Sequence, residues 1–275
     1  MRRPGFPASA AMLAVIATGW AAFAQSPVMV SPVRTSTVAA LSADAAAVPF
    51  GPGEKSTFEV RFGGVKVGGG SLQVVAVENV RGRDAYHTAF VVQGGTFFYR
   101  VNDSYESWFD TRTLNSLLFI RQIEEGSRER AQTFEIMPER GTYTERTRQE
   151  TMVKPTVEEP LDEGAFLYFV RTVPLVVGRT YDFHRYFMPT RNPVRLTVLR
   201  KERVKVPAGT FNAIVVRPVI KTRGIFSEKG QAEVWIADDT TRMLLQLKSK
   251  LSFGSLNLYL RSYTPAKAQA KATRD

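Results

Sequence analysis

The chain has no cysteine in its 275 residues and only two histidines. Without thiols there are no disulfides, no thiolate metal sites and no cysteine nucleophile, so a folded domain must draw its stability from buried surface and hydrogen-bonded strands. His87 and His184 stand in no metal-ligand spacing such as His-Glu-x-x-His. There is likewise no Gly-x-Ser-x-Gly nucleophile elbow, no phosphate-cradling glycine loop and no dinucleotide fingerprint; Gly68-Gly69-Gly70 reads as a turn or bulge between strand residues. The acidic pairs Glu124-Glu125 and Glu158-Glu159 would point to opposite faces of a strand, and Asp238-Asp239 reads as a hairpin turn. The residues therefore nominate no catalytic side chain, no metal ligand and no cofactor. A hydrolase ranks behind non-enzymatic readings.

Long apolar runs are scarce as well, and the clearest lies at the N-terminus. Arg2 and Arg3, an apolar stretch over Ala8 to Trp20, and Ala22-Phe23-Ala24 ahead of Gln25 read as a secretory signal cleaved after Ala24. From Ala8 to Ala24 the run is interrupted by Ser9, Thr18 and Gly19 and is shorter than the roughly 20 apolar residues of a spanning helix. The expected mature chain is exported, periplasmic, without a transmembrane span and, lacking cysteine, without a lipid anchor. Acidic residues are the last shortage: 37 Lys and Arg face 26 Asp and Glu, a net charge of +11. In the cytoplasm that excess would suggest nucleic acid. Outside it no nucleic acid is expected; the charge either favours anionic lipid and acidic polymers of the envelope or serves solubility alone.

What the chain does have is alternation. Residues 25–49 are Ala-, Ser-, Val-, Thr- and Pro-rich and read as a flexible tether, and 265–275 as a frayed basic tail. Between them, residues 50–264 read as β structure almost throughout. Phe58, Val60 and Phe62 alternate with Glu59 and Arg61 ahead of the Gly63-Gly64 turn, and similar runs recur at short intervals to Tyr263, as antiparallel hairpins require. One segment differs. Phe166, Phe169 and Val170 have helical spacing, Asp162 is a suitable N-cap and Pro174 a stop, so a short helix is expected over 162–171, covering an open end of the sheet.

The halves 50–150 and 174–264 echo each other. Leu72, Val74, Glu78, Val80, Ala89 and Val91-Val92 recur at an offset of 124 as Leu196, Val198, Glu202, Val204, Ala213 and Val215-Val216; Trp108 and Leu117-Leu118 recur at 127 as Trp235 and Leu244-Leu245. Such periodicity suggests a repeated unit, although alternation alone also generates matches. The expected fold is mainly β, a strongly curved antiparallel sheet or open half-barrel with one covering helix.

The run Val206-Pro-Ala-Gly-Thr-Phe211, then Ala213-Ile-Val-Val-Arg-Pro218, Glu233-Val-Trp-Ile-Ala-Asp-Asp239 and Gly254-Ser255, resembles the bacterial domain-of-unknown-function 3108 family. So do Phe58-Glu-Val-Arg-Phe62, the stretch Asp103 to Asp110 around Trp108, and the helix Leu161 to Arg171. The resemblance implies an exported envelope protein with a curved antiparallel sheet, similar in architecture to the half-barrels of lipid and lipoprotein carriers. It brings no catalytic residues.

Aromatic residues mark the candidate binding surface. Phe97, Phe98, Tyr99 and Trp108 cluster in the first half, and Phe166, Tyr168 and Phe169 lie on the helix expected to pack nearby. They either line a chamber for an apolar chain or fill a core. Arg171, at the helix end, is placed to hold an anionic headgroup or the helix's last carbonyls. Lys201, Arg203 and Lys205 fall on one strand face opposite Val204 and Val206, a basic stripe that suits an anionic surface or is simply solvated. The expected function is to bind or carry an apolar or anionic envelope component, a lipid or amphiphile. The alternative is an assembly factor docking on an envelope protein or wall polymer.

Overall fold

The computed structural model describes residues 48–96, 99–220, 232–251 and 254–267. The signal segment, the tether through residue 47, and the tail beyond 267 lie outside the described residues. In chain order the elements are β1 (Lys55–Phe62), β2 (Val65–Val80), β3 (Arg83–Thr96), β4 (Tyr99–Asp110), β5 (Ser116–Glu125), β6 (Arg128–Met137), β7 (Thr142–Arg146), β8 (Thr151–Pro155), α1 (Glu163–Phe169), β9 (Thr180–Phe183), β10 (Val194–Val206), β11 (Gly209–Val219), β12 (Glu233–Ala237), β13 (Leu244–Leu251) and β14 (Gly254–Thr264). All fourteen strands form one antiparallel sheet in the order β8 to β1 followed by β14 to β9, so two hairpin meanders meet at a β1–β14 seam and the sheet stays open at β8 and β9. No helix among the described residues is long and apolar enough to cross a membrane.

Each meander curls back on itself through the tip of one hairpin. Arg81, in the β2–β3 turn, donates from Nη2 to the carbonyls of Leu117 and Ile136 at 3.0 and 2.6 Å. Ala208, in the β10–β11 turn, donates its N–H to the carbonyl of Leu260 at 3.0 Å. Trp108 and Trp235 also match in place. Trp108 Nε1 donates to Glu78 at 2.7 Å and Trp235 Nε1 to Glu202 at 2.5 Å, each indole strapping across one intervening strand. A bulge follows each: Trp108 faces Leu118 and Phe109 faces Ser116, while Trp235 faces Gln246 and Ile236 faces Leu244. The register corrects two of the sequence offsets. Ala213 opposes Glu202 as Ala85, not Ala89, opposes Glu78, and the residue skipped at the bulge is Leu117 in one half and Leu245 in the other.

The glycine triplet is not a turn but adjoins a bulge, the second of the two readings given to it. Gly68, Gly69 and Gly70 lie inside the long β2, just past a register shift against β1. A Cβ on Gly68 would sit 2.0 Å from the Gln93 carbonyl oxygen, and one on Gly94, its partner across the ladder, 2.4 Å from that of Val67. Side chains are excluded there because the two backbones touch. Gly68→Ala is therefore expected to cost about 2 kcal/mol or more, and Gly69→Ala, whose Cβ would meet nothing nearer than 3.5 Å, under about 1 kcal/mol; urea midpoints compare the two.

Helix α1 lies on a face of the sheet, against β3 and β4, rather than over an open end. Phe50, Tyr86, Phe109 and Tyr168 form one aromatic knot there, with centroids 4.9 to 6.3 Å apart. Phe119, Phe134, Tyr143 and Phe187 form a second, at 5.1 to 6.4 Å. All eight side chains are buried. Burying each such ring contributes about 1.5–3 kcal/mol, and together they fill the space that an aromatic-lined chamber would have occupied.

Candidate binding cleft

The position of α1 is fixed at both ends by buried polar groups. At its start Asp162, the N-cap, accepts from the backbone N–H of Gly164 and Ala165 on Oδ1, at 2.7 and 2.9 Å, and from Ser107 Oγ on Oδ2 at 2.7 Å. Its own N–H donates to Ser116 Oγ at 2.8 Å. Burial pushes its carboxyl up to about 6, against the opposing pull of these donors. A Cβ on Gly164 would lie 2.9 Å from that of Ser107, so the missing side chain lets the helix settle onto β4.

Just past the helix, Arg171 forms a fork with Glu54, Nη1 to Oε1 at 2.6 Å and Nη2 to Oε2 at 3.0 Å. Its Nη2 also donates to the carbonyls of Pro49 and Thr241, and its guanidinium lies over the rings of Phe50 and Tyr168. The hydroxyl of Tyr168 is buried without a partner among the described residues, and burial raises the phenol's pKa.

Between α1 and the second meander a cleft remains. Phe166, Leu167 and Val170 form one wall; Leu72, Leu196, Val216, Pro218, Val234, Ile236 and Leu244 form the other, joined by Arg171 and Arg242. It encloses about 400 Å³ when its open mouth is counted, but the room for a water-sized body is about 20 Å³, enough for roughly one water. The walls are thus nearly in contact.

The structure separates the residues that the sequence grouped. Phe166 lines this cleft, while Tyr168 belongs to the first aromatic knot and Phe169 packs edge-on against Phe183. Phe97 and Phe98 lie outside the described residues, and Tyr99 opens β4 with its backbone paired to Thr96. Trp108 is not part of the helix-covered surface: on β4 it alternates with Phe109 and faces the other way, stacked on His87 at 4.1 Å. His87 is held there through Nδ1 to Glu78 at 3.0 Å and Nε2 to Glu106 at 2.9 Å. The indole and imidazole contacts hold the Glu78 carboxyl below its usual range. Arg171 is no free headgroup ligand, because Glu54 already neutralises it.

The basic stripe holds its expected face, with Lys201, Arg203 and Lys205 exposed and Val204 and Val206 buried, although Lys201 is paired with Asp238 at 2.8 Å. Two residues had no signal in the sequence. Glu54 precedes β1 and meets Arg171 from 117 positions away, and Arg242 sits in the β12–β13 turn.

In this geometry the cleft can take apolar matter and offers cations rather than a nucleophile or a proton shuttle. No curated protein matches the sequence. Among solved structures, a β-barrel-like protein of the domain of unknown function DUF1849 from Brucella abortus aligns over 80% of this chain and 100% of its own, with a TM-score of 0.52 and 9% identity. A Bacteroides fragilis protein with a YmcC-like fold aligns over 79% and 98%, with a TM-score of 0.28 and 13% identity. The first likeness shows a shared barrel-like fold and nothing of activity. The family described as "Protein of unknown function (DUF3108)" matches residues 57–261, from within β1 into β14, and the chain belongs to that family.

Proposed function

We propose that the protein is an exported, non-enzymatic binding protein whose cleft between α1 and β10–β13 takes the end of an apolar chain. The observation that carries the reading is the cleft itself, a narrow gap lined mostly by aliphatic side chains in an interior that aromatic and aliphatic side chains otherwise fill. Export rests on the signal-like N-terminus. The cleft's polar lining consists of two guanidinium groups, which suit binding, and His87 is held elsewhere by Glu78 and Glu106. Leu167, half-buried at the rim, must move aside for a chain to enter.

Titration calorimetry with 1-hexanol, 1-octanol and 1-decanol tests this. Affinity is expected to rise about fourfold per methylene until the cleft is full, following the free energy of burying each CH₂. Leu167→Trp should weaken 1-decanol at least tenfold while Leu167→Ala should not. No saturable binding of any alcohol, or equal binding by the Trp variant, overturns the proposal.

The filled core and the near-contact of the cleft walls favour a second reading, an assembly factor that docks through the sheet's end strands β8 and β9. Val153 is 68% exposed on β8, and Lys201, Arg203 and Lys205 suit an acidic polymer or partner. A domain of that kind retains an anionic wall polymer in co-sedimentation and ignores the alcohols.

A further inference from the structure

Arg242 is the cation in the cleft that the fold does not use. Three non-glycine residues among those described have positive φ: Arg81, Leu114 and Arg242. The conformation costs a non-glycine residue about 1–2 kcal/mol, so each needs a reason. Arg81 caps two strand carbonyls and Leu114 packs against the core. Arg242, at φ 49°, carries its side chain to the cleft, where its Nη1 is buried without an acceptor among the described residues.

The neighbouring carboxylates are committed elsewhere. Asp238 pairs with Lys201, Asp239 accepts from the N–H and hydroxyl of Thr241, and Glu54 is held in the fork of Arg171. Arg171, 5% exposed, also lines the cleft and keeps its Nε buried without an acceptor. Two guanidinium groups therefore line the gap, only Arg171 has a carboxylate partner among the described residues, and each leaves one donor open. A buried unsatisfied donor is costly, and an oxyanion is its strongest acceptor.

We infer that the cleft is a site for an alkyl carboxylate, with the hydrocarbon chain between α1 and β10–β13 and the oxyanion on Arg242. This rests on the apolar-chain reading above and adds to it the headgroup and the residue that recognises it. The carboxylate completes the pairing that Arg242 lacks, and Arg171 stays on Glu54 and presents its Nε.

The test compares decanoate with 1-decanol at pH 7.5 by calorimetry, on the full mature chain. Decanoate is expected to bind about tenfold or more tightly, as a charge-assisted pair would give. Arg242→Gln should bring decanoate down to the level of 1-decanol and leave 1-decanol unchanged, and Arg242→Lys should recover part of the difference. Acetate at the same concentration should neither bind nor displace decanoate; if it does, the site is one for a small free anion and the inference fails. Equal affinity of wild-type protein for decanoate and 1-decanol overturns the headgroup inference while sparing the chain reading. Absence of binding by both overturns the two together.

Discussion

Arg171→Met is expected to cost the domain about 3–5 kcal/mol, because it strands the Glu54 carboxylate in a site where both partners are about 5% exposed. Stability of a domain is typically about 5–15 kcal/mol, so the loss would be visible as a large drop in urea midpoint. The double variant Glu54→Leu with Arg171→Met removes both charges and should be more stable than Arg171→Met alone. It does not recover everything, since the carbonyls of Pro49 and Thr241 lose their donor. Strict additivity of the two single substitutions would show that the pair is not coupled and that Glu54 is hydrated in solution.

The second large effect is a pH dependence located in one group. Asp162 is held above its ordinary value of 3.8, to about 6, by burial. A carboxyl whose folded value is raised favours the protonated form in the native state. Its contribution is fully present below about pH 3.8 and is lost as pH rises through about 6, by roughly 3 kcal/mol over that window. Asn is as good an N-cap and nearly the same shape, with its amide able to donate to Ser107 Oγ. Asp162→Asn should therefore gain on wild type by about 2.5 kcal/mol between pH 4 and pH 7.5, measured as the difference between the two urea-stability curves. The subtraction matters because Glu78, Glu145, Asp182, Glu202 and Glu233 are all lowered by hydrogen bonds and charges that outweigh burial, and act in the opposite sense, losing stability as pH falls. A flat difference curve would mean that Asp162 titrates alike in folded and unfolded chains.

Alternation made most of the sheet readable, and the expected helix over 162–171, with its N-cap at Asp162, matches α1 to within two residues at either end. β2 was cut short because three glycines read as punctuation, whereas here they mark a close approach of two backbones that only the partner strand reveals. β8 carries little signal in the sequence, because Thr-Met-Val-Lys-Pro is short and ends in proline, tolerable at an edge. At the cleft, the aromatic count misled. Trp108 and Phe109 are neighbours in sequence and therefore on opposite faces, so a cluster along one strand is not a cluster in space. Phe166 and Arg171 were visible as residues, but Arg171's partner is remote, and Arg242 belongs to a turn with no pattern to flag it.

The seam between β1 and β14 joins the two ends of the folded region, with Thr57 and Ser262 sharing a hydrogen bond of 2.6 Å across 205 positions. Every other neighbouring pair in the sheet links strands that follow one another in the chain. The hairpins of each meander can zip from their turns at small entropic cost, whereas the seam must close a loop containing nearly the whole domain. At equilibrium that costs little extra, since each doubling of loop length adds only about 0.6 kcal/mol. In time it costs more, because distant pairing must wait for both meanders to be sufficiently ordered to present their edges. The first and last of the described strands in chain order are thus the ones whose meeting completes the sheet.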